Sequence, residues 1–108
     1  MHHFRLALFA STLFTSALAC STTLSPEAFR VHEADEKMIR GCSFLGSVEG
    51  ASSLGGMSQE TGMQNAKNRA IEAAADRGAT HIVIDSITGG YSPYVSGRAY
   101  RCWPFNET

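Results

Sequence analysis

Three cysteines, Cys20, Cys42 and Cys102, are the residues of this 108-residue chain whose spacing most directly indicates chemistry. None lies in a C-x-x-C pair, the arrangement typical of thioredoxin-like redox sites. When Cys20 is set aside, Cys42 and Cys102 remain as a pair. We expect them to form a disulfide, which would close a loop of 61 residues, counting both ends. In the chain-entropy description, such a loop contributes about 4 kcal/mol to stability. The alternative, in which Cys42 or Cys102 is a reactive thiol, stays open here.

The residues before Cys20 have the pattern of an export signal. A short basic start is followed by the largely apolar stretch Leu6–Phe14 and then by small residues. The apolar stretch is shorter than the roughly 20 residues that a transmembrane helix needs. The pattern therefore predicts a secretory signal peptide over residues 1–19.

Two outcomes are open for Cys20 once that signal is removed. The segment Leu18-Ala19-Cys20 resembles a bacterial lipobox, in which the cysteine becomes the acylated, palmitate-bearing N-terminus. Ala17-Leu18-Ala19 also fits the A-x-A pattern of ordinary cleavage, which would leave a free N-terminal thiol. We favour lipidation, because an unpaired exposed thiol is a liability in an oxidising compartment. Residues 20–27 then form the lipidated N-terminus and tether, and residues 28–108 form one small domain.

Lipidation predicts a membrane partner, held through the N-terminal lipid, and a domain that faces the periplasm. Serine follows Cys20 where some lipoproteins have aspartate. By resemblance to enterobacterial sorting rules, this indicates the inner leaflet of the outer membrane. The choice between inner and outer membrane stays open.

Histidines and acidic residues are the remaining candidates for catalysis or metal binding. His32 and His81 occupy predicted strand positions, and Asp85 follows His81 by four residues. Four residues of a strand span about 13 Å, so this spacing does not bring His81 and Asp85 together as ligands of one metal ion. The chain has no phosphate-binding glycine motif, and its 9 basic and 10 acidic residues provide no basic field for nucleic acid. We expect no catalytic residues, no cofactor, no metal, no small-molecule substrate and no nucleic-acid partner. A metal-binding or redox protein is the alternative from another class.

Two surface features are candidates for contact with a partner. Tyr91, Pro93 and Tyr94 lie in a loop bounded by glycines, and exposed aromatic residues are enriched at interfaces. The alternative is a loop whose tyrosines fold back on the domain. The second candidate is a basic face that could bind lipid headgroups or anionic polysaccharide; its residues are Lys67, Arg69, Arg77, Arg98 and Arg101. The alternative is that these residues form an ordinary solvated surface.

The elements that position these residues follow from hydrophobic periodicity. Alanines at spacings of three and four predict a helix over about 62–77, which Gly78 ends. Alternating or continuous apolar residues predict strands over 29–33, 44–48, 81–87 and 98–102, the third being central. Gly46 marks a bulge or a close approach of other backbone, and we expect the alanine stripe of the helix to pack there.

A disulfide between the start of one strand and the end of another is most easily made if the two strands are antiparallel neighbours. The last strand is then expected beside residues 44–48. The predicted fold is α+β, with one helix packed on a small three- or four-stranded mixed sheet, linked by one disulfide.

The chain resembles a family of small bacterial lipoproteins of unknown function, similar in pattern to the RcsF envelope-stress lipoprotein. The resemblance covers Leu24 to Cys102, in the segments LSP at 24–26, CSFLGSV at 42–48, NAKNRA at 65–70 with Ala74, RGATHIV at 77–83 and GRAYRC at 97–102. It implies a non-enzymatic envelope lipoprotein that binds or supports another envelope component, with an RcsF-like stress sensor as the alternative. RcsF-like proteins carry two disulfides, whereas this chain has cysteines for one.

Overall fold

The computed structural model describes residues 24–53 and 58–103. These ranges contain α1 (Pro26–Phe29), β1 (His32–Glu33), β2 (Ser43–Ala51), α2 (Gln59–Asp76), β3 (His81–Thr88) and β4 (Tyr94–Arg101). The strands form one sheet in the order β1-β3-β4-β2, in which β1 is parallel to β3 and β4 is antiparallel to both of its neighbours. The predicted α+β class, with one main helix on a four-stranded mixed sheet, is confirmed. So are the central position of β3 and the pairing of the last strand with β2.

The predicted first strand is mostly wrong, because residues 26–29 form the short helix α1. Ser25 is its N-cap, and the Ser25 hydroxyl accepts a hydrogen bond from the Ala28 amide at 3.1 Å. Pro26 follows at the first helical position, where its missing N–H costs nothing. Serine followed by proline was therefore a helix start signal, and only His32–Glu33 of the predicted strand joins the sheet.

Helix α2 packs closely against the sheet at Gly50. A Cβ built on Gly50 would lie 2.0 Å from the backbone oxygen of Ala66 and 2.5 Å from the backbone nitrogen of Ala70. The alanine stripe packs as predicted, since both alanines are fully buried, but the expected contact at Gly46 is wrong. The guanidinium of Arg77 lies where a Cβ on Gly46 would be.

A β-bulge explains that difference. Phe44 pairs with Tyr100, and the ladder then resumes at Gly46, so that Leu45 is an extra residue in β2. Gly46 has a φ of 140°, which glycine adopts readily. The bulge turns Phe44 to the sheet face opposite α2, although simple alternation placed it on the same face as the buried Val48.

Several element ends differ from the prediction. Helix α2 begins at Gln59, three residues earlier than predicted, and the Ser58 hydroxyl caps its first turn. The helix ends before Gly78, whose φ of 77° confirms the predicted left-handed stop. Strand β4 begins at Tyr94, four residues earlier than predicted. Among the described residues, no helix is long and apolar enough to cross a membrane.

Candidate functional site

The predicted disulfide is present. Cys42 and Cys102 are bonded to each other, immediately outside the paired residues Ser43 of β2 and Arg101 of β4. The Cys102 amide donates a 2.9 Å hydrogen bond to the Thr80 hydroxyl, which links the end of β4 to the start of β3. The disulfide thus joins an edge strand to a central strand at one end of the sheet, which we call the disulfide end.

The predicted lipidation site, Cys20, lies outside the described residues, as does the predicted signal peptide. The described chain enters the domain at Leu24, which packs against the hydrophobic core. The next residue, Ser25, is bound to Glu72 of α2. The Glu72 carboxylate accepts hydrogen bonds from the Ser25 amide at 2.6 Å and from the Ser25 hydroxyl at 2.9 Å. The entry point is therefore fixed on the last third of α2.

The three residues of the predicted contact loop have different environments. Tyr91 is 82% exposed, whereas Pro93 is fully buried and its carbonyl accepts a hydrogen bond from Ser52. Tyr94 belongs to β4, and its hydroxyl donates to the carboxylate of Glu49, which raises the pKa of Tyr94. Pro93 is therefore not a contact residue, because it has no accessible surface to offer, and Tyr91 is the one side chain of the three that projects freely.

The five basic residues considered as one face do not form a single face, because Arg77 and Arg101 lie at the disulfide end whereas the other three lie elsewhere. Arg98 donates hydrogen bonds to Asp85 from Nε, at 3.0 and 3.1 Å, and also pairs with Glu36. These carboxylates raise the pKa of Arg98 and neutralise its charge. Lys67 forms an ion pair with Glu33. Arg77 and Arg101 donate to backbone carbonyls, as described below, and Arg69 is exposed on α2.

His32 and His81 are neighbours on the sheet face opposite α2. Their ring centroids lie 5.5 Å apart, and Nδ1 of His81 lies 2.8 Å from the Thr80 hydroxyl. Partial burial, followed by the charge of His32, lowers the pKa of His81. Asp85 is engaged by Arg98 instead of the histidines. In residues 24–53 and 58–103, no three His, Cys, Asp or Glu side chains come together as a metal site would require.

The sequence indicated Arg77 and Arg101 as members of a basic face, but it did not indicate that Phe44 and Trp103 lie with them at the disulfide end. Arg77 donates to the Leu45 carbonyl at 3.3 Å, and Arg101 donates to the Gly78 carbonyl at 3.0 Å. Trp103, 70% exposed, shares a shallow cleft with Arg101. Phe44 packs against Tyr100 with ring centroids 5.5 Å apart and is 57% exposed. The signal that would have found the cluster was the disulfide itself, which brings the flanking residues of Cys42 and Cys102 together.

The fold and these contacts define the class of protein as a small α+β domain with a single disulfide. Comparisons of the chain with protein-family models, with curated proteins and with solved structures found no match.

Proposed function

We propose that this protein is a non-enzymatic, lipid-anchored module of the bacterial cell envelope that faces the periplasm and binds or supports another envelope protein. The export pattern of residues 1–19 and the lipobox-like Cys20 support the anchor. The disulfide between Cys42 and Cys102 fits an oxidising compartment such as the periplasm. The resemblance of residues 24–102 to small envelope lipoproteins supports the same assignment.

The observation that carries the proposal is the position of Tyr91 relative to the chain entry. The loop before Pro93 lies beside the start of α2, because a Cβ on Gly89 would be 3.9 Å from the Gln59 side chain. The chain enters at Glu72, thirteen residues further along α2, which corresponds to about 20 Å of helix. The chain entry and the exposed tyrosine are therefore at opposite ends of the domain. An anchored domain would present Tyr91 away from its own tether, where a partner has access.

The contact is tested by crosslinking in the native host. A photoreactive phenylalanine derivative at Tyr91 is expected to form one adduct of fixed mass with an envelope protein, because a light-activated group couples only to what touches it. The matched control carries the same group at Arg69, which is also exposed but lies in the middle of α2. Absence of an adduct at position 91, or equal adducts at both positions, would contradict the proposal.

Tyr91→Ala is the matching loss-of-contact variant. Because Tyr91 is 82% exposed, we expect the free energy of unfolding to change by less than about 0.5 kcal/mol. The partner is expected to be lost from the purified envelope complex, since exposed aromatic anchors contribute strongly to interfaces. A variant that unfolds, or that retains the partner fully, would show that Tyr91 has another role.

The anchor is tested separately by the intact mass of protein extracted from membranes. We expect residues 20–108 plus acyl groups, with two alkylations that appear only after reduction of the Cys42–Cys102 bond. An unacylated chain that begins at Cys20 would show a periplasmic protein with a free thiol and would refute the lipid anchor.

A further inference from the structure

Charged side chains are distributed unevenly between the two ends of the domain. Four exposed arginines lie at or beside the disulfide end, namely Arg30, Arg40, Arg77 and Arg101. In the part of the chain that the structure describes, none of them forms an ion pair of the kind that Lys67 and Arg98 make. At the opposite end, residues 50–53, 58–63 and 86–95 contain one charged side chain, that of Glu60.

The backbone contacts explain why these arginines share one end. Arg40 lies two residues before Cys42, whose amide closes a turn on the Ile39 carbonyl. Arg101 pairs with Ser43 across the β2–β4 ladder. Arg77 caps α2 at this end, with Asp76 as its one acidic neighbour in the chain. Arg30 precedes β1, whose first residue pairs with the first residue of β3. Glu27 of α1 and Asp76 of α2 offset part of this charge, and the arrangement leaves a net positive charge at this end.

Large apolar side chains accompany this charge. Trp103 is 70% exposed and follows the disulfide directly, and Phe44 is 57% exposed two residues after Cys42. Exposed tryptophan beside arginine is typical of proteins that rest on a bilayer surface, because the indole prefers the headgroup region and the guanidinium pairs with lipid phosphates. The same pair on a fully solvated surface leaves apolar area in water without compensation.

The length of the tether supports the same orientation. Residues 21–23 separate Cys20 from Leu24, and the four Cα-to-Cα steps from Cys20 to Leu24 span at most about 14 Å. The entry point at Glu72 lies five residues from the C-cap of α2, which is about 8 Å along the helix from the disulfide end. A chain anchored at Cys20 would therefore be held with this end near the bilayer and with Tyr91 remote from it.

We infer that the disulfide end docks the domain onto an anionic bilayer surface, with Trp103 and Phe44 in the headgroup region and the surrounding arginines against lipid phosphates. The orientation rests on the proposed anchor at Cys20, whereas the affinity of this end for anionic lipid does not depend on it. Docking fixes the domain upright, so that the loop with Tyr91 points into the periplasm.

Trp103 is the single tryptophan of the chain and provides a direct assay. The purified protein, acylated or not as it comes from the cell, is combined with vesicles of phosphatidylethanolamine and phosphatidylglycerol and, separately, with vesicles of neutral phosphatidylcholine. We expect the Trp103 emission to shift to shorter wavelength with the anionic vesicles. Lipids brominated near the headgroup should quench it, and 0.5 M salt should reverse the shift, because the Debye length falls to a few ångström.

Charge-neutral variants test which surface is responsible. Arg40→Gln and Arg101→Gln are each expected to lower the vesicle partition coefficient about fivefold, the usual effect of one basic residue at an anionic surface. Arg40 is the safer of the two for folding, since its guanidinium makes no hydrogen bond among the described residues, whereas Arg101 binds the Gly78 carbonyl. Arg69→Gln removes the same charge from the middle of α2 and should leave partitioning unchanged.

Four outcomes would overturn the inference. These are an emission spectrum that anionic vesicles do not change, an equal shift with neutral vesicles, an effect of Arg69→Gln as large as that of Arg40→Gln, and a lipid-independent shift that grows with protein concentration. The last would show that a second copy covers Trp103. Unacylated protein that still gives the lipid-dependent shift would refute the proposed anchor alone, and acylated protein without the shift would refute docking alone.

Discussion

Substitution of Gly50 by alanine is expected to separate the helix from the sheet. The new Cβ would lie 2.0 Å from the Ala66 oxygen, about 1 Å inside the closest approach that Cβ atoms make, and 2.5 Å from the Ala70 nitrogen. Both are backbone atoms, so no rotamer change can relieve the overlap, and α2 must move away from β2. Because this contact lies inside the hydrophobic core of the domain, we expect a loss of about 2–4 kcal/mol, which extends above the usual range of about 1–3 kcal/mol for overpacking.

Urea denaturation followed by Trp103 fluorescence and by circular dichroism measures this loss. Gly89→Ala is the matched control, since its Cβ would meet Met63 and Gln59 at 3.8–3.9 Å, which is ordinary van der Waals contact. We expect that variant to be neutral or slightly more stable, because alanine restricts the unfolded chain. An unchanged urea midpoint for Gly50→Ala would refute the close helix–strand contact.

Three further predictions concern the disulfide, the histidine pair and the chain entry. Replacement of both Cys42 and Cys102 by serine should lower the free energy of unfolding by about 4 kcal/mol relative to the disulfide-bonded wild type, measured by urea denaturation, and the reduced wild type should unfold at the same urea concentration as the variant. Because the pKa of His81 is lowered on folding, the unfolded chain binds more protons just below pH 6.5, so stability should fall as the pH falls from 7 towards 5. His32→Gln should make this fall shallower, and an unchanged slope in urea titrations would contradict the coupling. Glu72→Ala should release the start of α1, seen as faster amide hydrogen exchange there with the β-sheet amides unaffected.

The main elements of the fold could be predicted because each one has a strong local signal. The alanine stripe around Ala66 and Ala70 has helical periodicity, and the run over residues 81–87 is continuously apolar, as a central strand must be. The cysteine pair then indicated which strands lie side by side. These signals depend on side-chain type and spacing alone, so they needed no knowledge of the rest of the chain.

The sequence could not predict which side chains of each strand lie on the α2 face of the sheet, because a β-bulge reverses the alternation of side chains between the two faces. One extra residue at Leu45 reverses the alternation, and a second irregularity between Ile84 and Ser86 does the same in β3. Strict alternation would put Phe44 on the same face as the buried Val48, whereas the structure exposes it beside Tyr100. A bulge is set by the register of both strands together, which no single segment encodes.

The candidate surfaces divide in the same way. The sequence by itself determined the chemistry at hand: a cysteine pair for a disulfide, an export pattern with Cys20 at its end, and an aromatic loop that contains Tyr91. Only the tertiary structure decided that Pro93 is buried, that Arg98 is neutralised by carboxylates, and that Trp103 shares a cleft with Arg101 at the disulfide end. The physical reason is that exposure and charge compensation depend on neighbours distant in the chain, whereas residue type and spacing do not.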